Sequence, residues 1–157
     1  MNNETIEDLQ CGGLKLIQGK DGFRFGTDAV LLADFSKNIK AQNALDLCTG
    51  NGIIPILLSN KTNIKKLYGL EIQKEAAEFA KRSVILNGLE DRIEITCGDL
   101  KESLEFYHKR SFDMITCNPP YMKAGAAIQN CTNLKATARH EIYCTLEDVI
   151  ITASLLL

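Results

Sequence analysis

The chain has 157 residues, with 18 Lys and Arg against 20 Asp and Glu and a formal net charge of -2. That balance excludes the global basic field of a tight, non-specific nucleic-acid binder, so any recognition of RNA has to rest on local clusters. No signal-peptide pattern and no apolar span of about twenty residues occurs, which reads as a cytoplasmic chain long enough to bury one full core.

Leu14-Lys15-Leu16-Ile17-Gln18, a turn Gly19-Lys20-Asp21-Gly22 and Phe23-Arg24-Phe25 predict a hairpin, with Thr27 or Asp28 capping a helix after it. A hairpin arginine such as Arg24 is more often just solvated. Ala44 to Gly52 is a short apolar run entering a glycine turn that opens the helix-like Ile53-Ile54-Pro55-Ile56-Leu57-Leu58. Gly50 and Gly52 permit positive φ or close approach of a ligand, and the helix start offers unpaired N–H groups. Pro55 is tolerated in a first helical turn. The stretch is not a dinucleotide fingerprint, because Cys48 stands where a first glycine would be and no G-x-G-x-x-G follows.

A second strand, Leu67-Tyr68-Gly69-Leu70-Glu71, ends in an acid placed to chelate two ribose hydroxyls, the alternative being a surface helix cap. Gln73 to Asn87 predicts a helix with an apolar stripe of Ala76, Ala77, Ala80, Val84 and Ile85, an i,i+4 pair of Glu78 and Arg82 outside it, and Gly88 as terminator. A third strand, Arg92 to Cys97, ends at Gly98-Asp99-Leu100, and a helix is expected from Leu100 to Lys109, with His108 exposed at its charged end.

The fourth strand, Phe112 to Cys117, runs into Asn118-Pro119-Pro120-Tyr121. Two adjacent prolines cannot continue a sheet or enter a helix interior, so they stiffen the backbone where the strand stops. The Asn118 side-chain oxygen and a backbone carbonyl can accept both hydrogens of an exocyclic NH2 while the Tyr121 ring lies against the attached flat ring. A proline-stiffened turn with an incidental Asn is the plainer alternative. Lys123, Lys135, Arg139 and His140 make a modest basic group suited to phosphate, or simply a solvated loop. Thr145-Leu146-Glu147-Asp148 has the form of a capping box before Val149-Ile150-Ile151 and Ala153, and that helix runs into Leu155-Leu156-Leu157.

Helices between the strands allow parallel pairing, which needs a crossover between each strand and the next. In such an α/β sheet the ligand crevice lies beyond the carboxyl ends of the strands, at the switch point of the strand order. Asp46, Glu71, Asp99 and Asn118 all fall there. The six cysteines contain no CxxC or CxH pairing and read as reduced thiols, with no metal site; Cys48, Cys97 and Cys117 are expected at buried strand ends as small hydrophobes.

Asp46-Leu47-Cys48-Thr49-Gly50-Asn51-Gly52, Glu71, Asp99 and Asn118-Pro119-Pro120-Tyr121 together resemble the class I S-adenosylmethionine-dependent methyltransferases, in the branch with an NPPY motif. Phe23 to Ala33 and Ala138-Arg139-His140-Glu141 are similar to the bacterial tRNA(Val) adenine-N6-methyltransferase family. The resemblance covers nearly the whole chain. It implies a Rossmann-like sheet with helices on both faces, S-adenosylmethionine as cofactor, and methyl transfer to the N6 amine of adenine in tRNA. It implies that Asp46, Cys48, Thr49, Gly50, Asn51 and Gly52 hold the methionine part of the cofactor, Glu71 with Ile72 its ribose, and Asp99 with Leu100 its adenine. Asn118 and the Pro119 carbonyl would bind the target amine beside the cofactor, Tyr121 would stack on the base, and Arg24 and Asp28 would border the active site.

Residues 1–40 are then a hairpin and helix over the cofactor site, and 41–157 the catalytic domain. The family continues beyond the fourth strand, so this sheet is expected to be incomplete at its carboxyl-terminal side, with an exposed edge that a second copy or a partner chain could cover. Two alternatives stay open: a protein glutamine N5-methyltransferase, although those carry a separate helical leading domain, and a cofactor-binding fragment without turnover.

Overall fold

The computed structural model describes residues 4–20, 25–119 and 144–157. Strands β1 (Glu4–Asp8) and β2 (Lys15–Gly19) come first, then α1 (Thr27–Ser36), β3 (Asn43–Leu47), α2 (Ile53–Lys61), β4 (Lys66–Glu71), α3 (Lys74–Leu86) and β5 (Ile93–Cys97). A 3-10 turn over Leu100–Glu105, β6 (Met114–Cys117) and α4 (Leu146–Leu156) complete the order. Strands β3 to β6 form one parallel sheet in the order β5-β4-β3-β6. The chain steps outward from β3 to β4 and β5, then returns to lay β6 on the other side of β3. The switch point of a doubly wound sheet therefore lies between β3 and β6.

Strand alternation sends successive side chains to opposite faces, and both faces are covered. Ala44, Leu67, Ile93, Ile95 and Met114 pack with α2, α3 and Leu16 of β2 on one side. Leu45, Leu47 and Leu70 pack with Leu100, Tyr107, Phe112 and Leu156 on the other. Helix α2 is buried from Ile53 through Ser59, as an almost continuously apolar helix must be. Among the described residues β6 borders only β3, and no helix there is long and apolar enough to cross a membrane.

Several expectations are corrected. β2 forms a hairpin with β1, which sequence reading did not expect: Gly12 and Gly13, at φ +59° and +76°, turn the chain, and the Leu9 amide donates to the Leu14 carbonyl at 2.9 Å; the expected hairpin through Gly19 to Phe25 runs into residues that are not described. Residues 21–24 lie outside the described residues. Helix α1 is capped by Gly26, with no side-chain cap bond, because Thr27 and Asp28 are already helical. In α3, Ser83 takes the buried face and Ile85 is 61% exposed. Arg82 forms a two-pronged ion pair with Glu4 at 2.7 and 3.0 Å, because β1 brings that carboxylate alongside α3; Glu78, the expected partner, acts on Arg82 as a nearby charge without direct contact. The segment after Asp99 is a 3-10 turn kinked at Glu102, in place of an α-helix to Lys109, and Cys97 is exposed. The capping box at Thr145 is present in both halves.

Candidate active site

The turn after β3 is built from left-handed backbone. Cys48, Gly50 and Gly52 have φ of +55°, +58° and +83°, so Cys48 holds the conformation of the glycine it replaces at a steric cost of about 1–2 kcal/mol. Gly52 caps α2. The Thr49 amide donates to the Leu70 carbonyl at 3.1 Å, which ties the turn to β4. The Thr49 side chain lies over Gly69, where a Cβ would come within 2.8 Å of Thr49 Cγ2. Asn51 Nδ2 donates to the buried Gln18 Oε1 at 3.3 Å, so β2 supports the turn from outside.

Two buried carboxylates flank this turn. Glu71, 5% exposed at the end of β4, accepts the Gly50 amide at Oε2 (2.8 Å) and the Gln73 amide at Oε1 (2.9 Å). A carboxylate has about four acceptor positions, so each oxygen keeps one for a ligand hydroxyl. Half-buried Ile72 follows in the bend. Asp46 on β3 accepts the Thr116 hydroxyl at Oδ1 at 2.7 Å, while Asp46 Oδ2 and Thr49 Oγ1 are buried without a hydrogen-bond partner among the described residues. Burial pushes the Asp46 carboxyl up to about 7; the Thr116 hydroxyl and the nearby Thr49 hydroxyl oppose this and the negative charge of Glu71 adds to it.

Asp99 caps the 3-10 turn, accepting the Lys101 amide at 2.9 Å, with Lys101 Nζ 3.7 Å from its other oxygen. Leu100 is buried in the core, and its carbonyl accepts the Thr152 hydroxyl. At the end of β6, Asn118 Nδ2 donates to Asp28 Oδ2 at 3.1 Å across a separation of 90 residues. Cys48 and Cys144 bring their sulfurs to 3.9 Å.

The structure thus brings Asp46, Cys48, Thr49, Gly50, Asn51, Gly52 and Glu71 together around one turn, sets Asn118 on the neighbouring strand end, and joins it to Asp28. Pro120, Tyr121, Arg24, Lys123, Arg139 and His140 lie outside the described residues. Sequence reading missed Thr116, Gln18 and Gly69. Thr116 and Gln18 carried a signal, each a polar residue in an apolar run; Gly69 matters only through the Thr49 side chain above it.

The unmet Asp46 and Thr49 oxygens, the half-used Glu71 carboxylate and the glycine-bounded turn fit a polar ligand with a cationic end and vicinal hydroxyls. The family model described as Methyltransferase small domain matches residues 17–143. The tRNA1(Val) (adenine(37)-N6)-methyltransferase of Porphyromonas gingivalis is 36% identical over 140 residues, covering 85% of this chain and 54% of its own length. The ribosomal protein uL3 glutamine methyltransferase of Bordetella pertussis is 34% identical over 84 residues, covering 54% of this chain and 27% of its own. Methanocaldococcus jannaschii Trm5, solved in complex with adenosine, superimposes with a TM-score of 0.60 at 20% identity, covering 89% of this chain and 40% of that one, a likeness of fold. The chain spans about half the length of the adenine-N6 relatives it matches.

Proposed function

This chain belongs to the methyltransferase small-domain family, and on that premise we propose that it is the S-adenosylmethionine-binding part of an N-methyltransferase acting on the exocyclic N6 amine of adenine in tRNA. The observation that carries the reading is the convergence of Asp46, Glu71 and Asn118 at the carboxyl ends of three adjacent strands, on either side of the switch point. The Porphyromonas gingivalis relative named for adenine-N6 methylation covers 85% of the chain and the glutamine methyltransferase 54%, which favours the RNA base over the protein amide. A tRNA substrate implies work in the cytoplasm.

Residues 41–157 would form the catalytic domain. In it, Asp46 and the turn from Cys48 to Gly52 would take the methionine end of the cofactor, Glu71 with Ile72 the ribose, and Asp99 with Leu100 the adenine. Residues 1–40 would rim the site through the Gln18–Asn51 and Asp28–Asn118 contacts. The bound cofactor supplies a sulfonium methyl. An aryl amine is a poor nucleophile because its lone pair is delocalised into the ring. Two hydrogen bonds accepted by Asn118 Oδ1 and the Pro119 carbonyl favour the pyramidal amine and return that lone pair for in-line attack. The N–C bond would form as the sulfonium C–S bond gave its electrons to sulfur, and the amine proton would leave to solvent. Tyr121 would hold the unstacked base, with Arg24, Lys123, Arg139 and His140 near the RNA backbone. No strongly shifted base is needed, since positioning and electrostatics supply the acceleration. Among the described residues β6 has a strand on one side only, and its other side is where further strands or a partner chain would pair.

Transfer of a labelled methyl group from S-adenosylmethionine to separated tRNA, ribosomal RNA and protein fractions tests the reading. N6-methyladenosine in tRNA supports it; labelled glutamine in protein moves the assignment to the second class; absence of label leaves a cofactor-binding piece. Asn118→Ala should abolish transfer with cofactor affinity kept, and equal loss of both would make Asn118 structural.

A further inference from the structure

We propose that Asp28 is a positioning residue for the transfer step: it fixes the side-chain amide of Asn118 so that the oxygen, and not the nitrogen, faces the target amine. This rests on the N-methyltransferase reading above. An ionised carboxylate only accepts hydrogen bonds, so the 3.1 Å contact of Asp28 Oδ2 with Asn118 must be made by the amide nitrogen. The amide oxygen is thereby turned away from Asp28 and left as an acceptor. An unheld asparagine can rotate by half a turn and present its NH2 to the substrate NH2, where donor meets donor and nothing binds. The carboxylate makes that flipped state repulsive, oxygen against oxygen.

The surroundings of Asp28 support the role. Its Oδ1 accepts the Ala29 amide at 3.0 Å, which holds the carboxylate at the start of α1. Gly26 has an ordinary extended backbone, φ -98° and ψ 176°, that any residue adopts. A Cβ at Gly26 would nevertheless stand 2.5 Å from Asp28 Oδ1. The glycine is therefore there for room, and the room is occupied by this carboxylate. Asp28 and Asn118 are brought together by the fold alone, one from the first turn of α1 and the other from the end of β6.

The test compares wild type, Asp28→Ala and Asp28→Asn. Asp28→Ala should lower kcat by about 10²-fold, the scale of a misoriented reacting group, with S-adenosylmethionine affinity and the KM for tRNA little changed. Asp28→Asn can still accept from Asn118 through its own oxygen and should recover much of that loss. An equal loss of cofactor affinity, or a raised KM at unchanged kcat, would make Asp28 a ligand contact and overturn the proposal. A second readout needs no turnover: the side-chain NH2 resonances of Asn118, assigned by their disappearance in Asn118→Ala, should shift and exchange faster with water in Asp28→Ala. Unmoved resonances in an active enzyme overturn the proposal, whereas an inactive wild type in which they do move overturns the methyltransferase reading and the catalytic role with it.

Discussion

Thr116 hydroxyl donates to Asp46 Oδ1 at 2.7 Å from the position directly paired with it across the β3–β6 boundary. The Thr49 hydroxyl also favours the charged carboxyl, but the other Asp46 oxygen has no well-formed hydrogen bond among the described residues. The switch point of the sheet is thus marked by an acid whose burial is only partly compensated.

The first prediction concerns pH. Asp46 moves from 3.8 to about 7 on folding, so the folded state holds a proton that the unfolded chain has released. The stability contributed by this group is complete below pH 4 and is lost as pH rises through 7, a difference of about 4 kcal/mol. Asp46→Asn keeps an acceptor for Thr116 and should flatten the dependence, melting above wild type at pH 8. A cationic methionine end would displace the Asp46 proton. Cofactor affinity should therefore rise between pH 5.5 and 7.5 in wild type and stay level in the variant. Superimposable melting profiles would show that the carboxylate is ionised throughout.

Gly69→Ala should strain the cofactor turn. The added methyl meets Thr49 Cγ2 and Ile95 Cδ1, both at 2.8 Å. Overpacking of this kind costs about 1–3 kcal/mol. Cofactor affinity should fall as Thr49 is displaced, and Thr49→Ser in the same chain should restore part of it by removing the obstructing methyl. Affinity that stays low in the double variant would place the damage elsewhere.

Ser83→Ala should loosen the leading hairpin. The fully buried hydroxyl accepts the Ile17 amide at 2.9 Å and donates to the Phe79 carbonyl. Removing it orphans a buried N–H, which costs about 1–3 kcal/mol. Urea unfolding should show a lower midpoint at an unchanged slope; an unmoved midpoint would mean that the amide finds water.

Thiol labelling should be uneven. Cys48 is pushed up by the adjacent Cys117 thiol and by burial, and Cys144 is pushed up to about 12, chiefly by burial. Exposed Cys97 should therefore react with iodoacetamide at pH 8 well before either of them, as read by mass spectrometry of the folded protein. Equal rates would require the turn to open on the labelling timescale.

Local patterns carried much of the fold. The alternation in Ile93–Cys97, the stripe through Ala77, Ala80 and Val84, and the capping box at Thr145 each depend on residues a few positions apart, and each appears as read. The β1–β2 hairpin was not read because its turn, Gly12-Gly13, lies before the first strand expected from the sequence, and β2 docks its buried Leu16 in the core shared with α3. Arg82 chose Glu4 over Glu78 because β1 lies against that helix, which no helical spacing could reveal.

By itself the sequence determined which residues end strands, where the left-handed turn lies, and which side chains can accept or donate, because these follow from chain chemistry and short-range periodicity. Only the tertiary structure decided that Thr116 faces Asp46, that Gln18 holds Asn51, and that Asp28 takes the nitrogen of Asn118. Those pairings arise where strand order and helix docking bring distant residues together, and hydrogen bonds form only at contact distance.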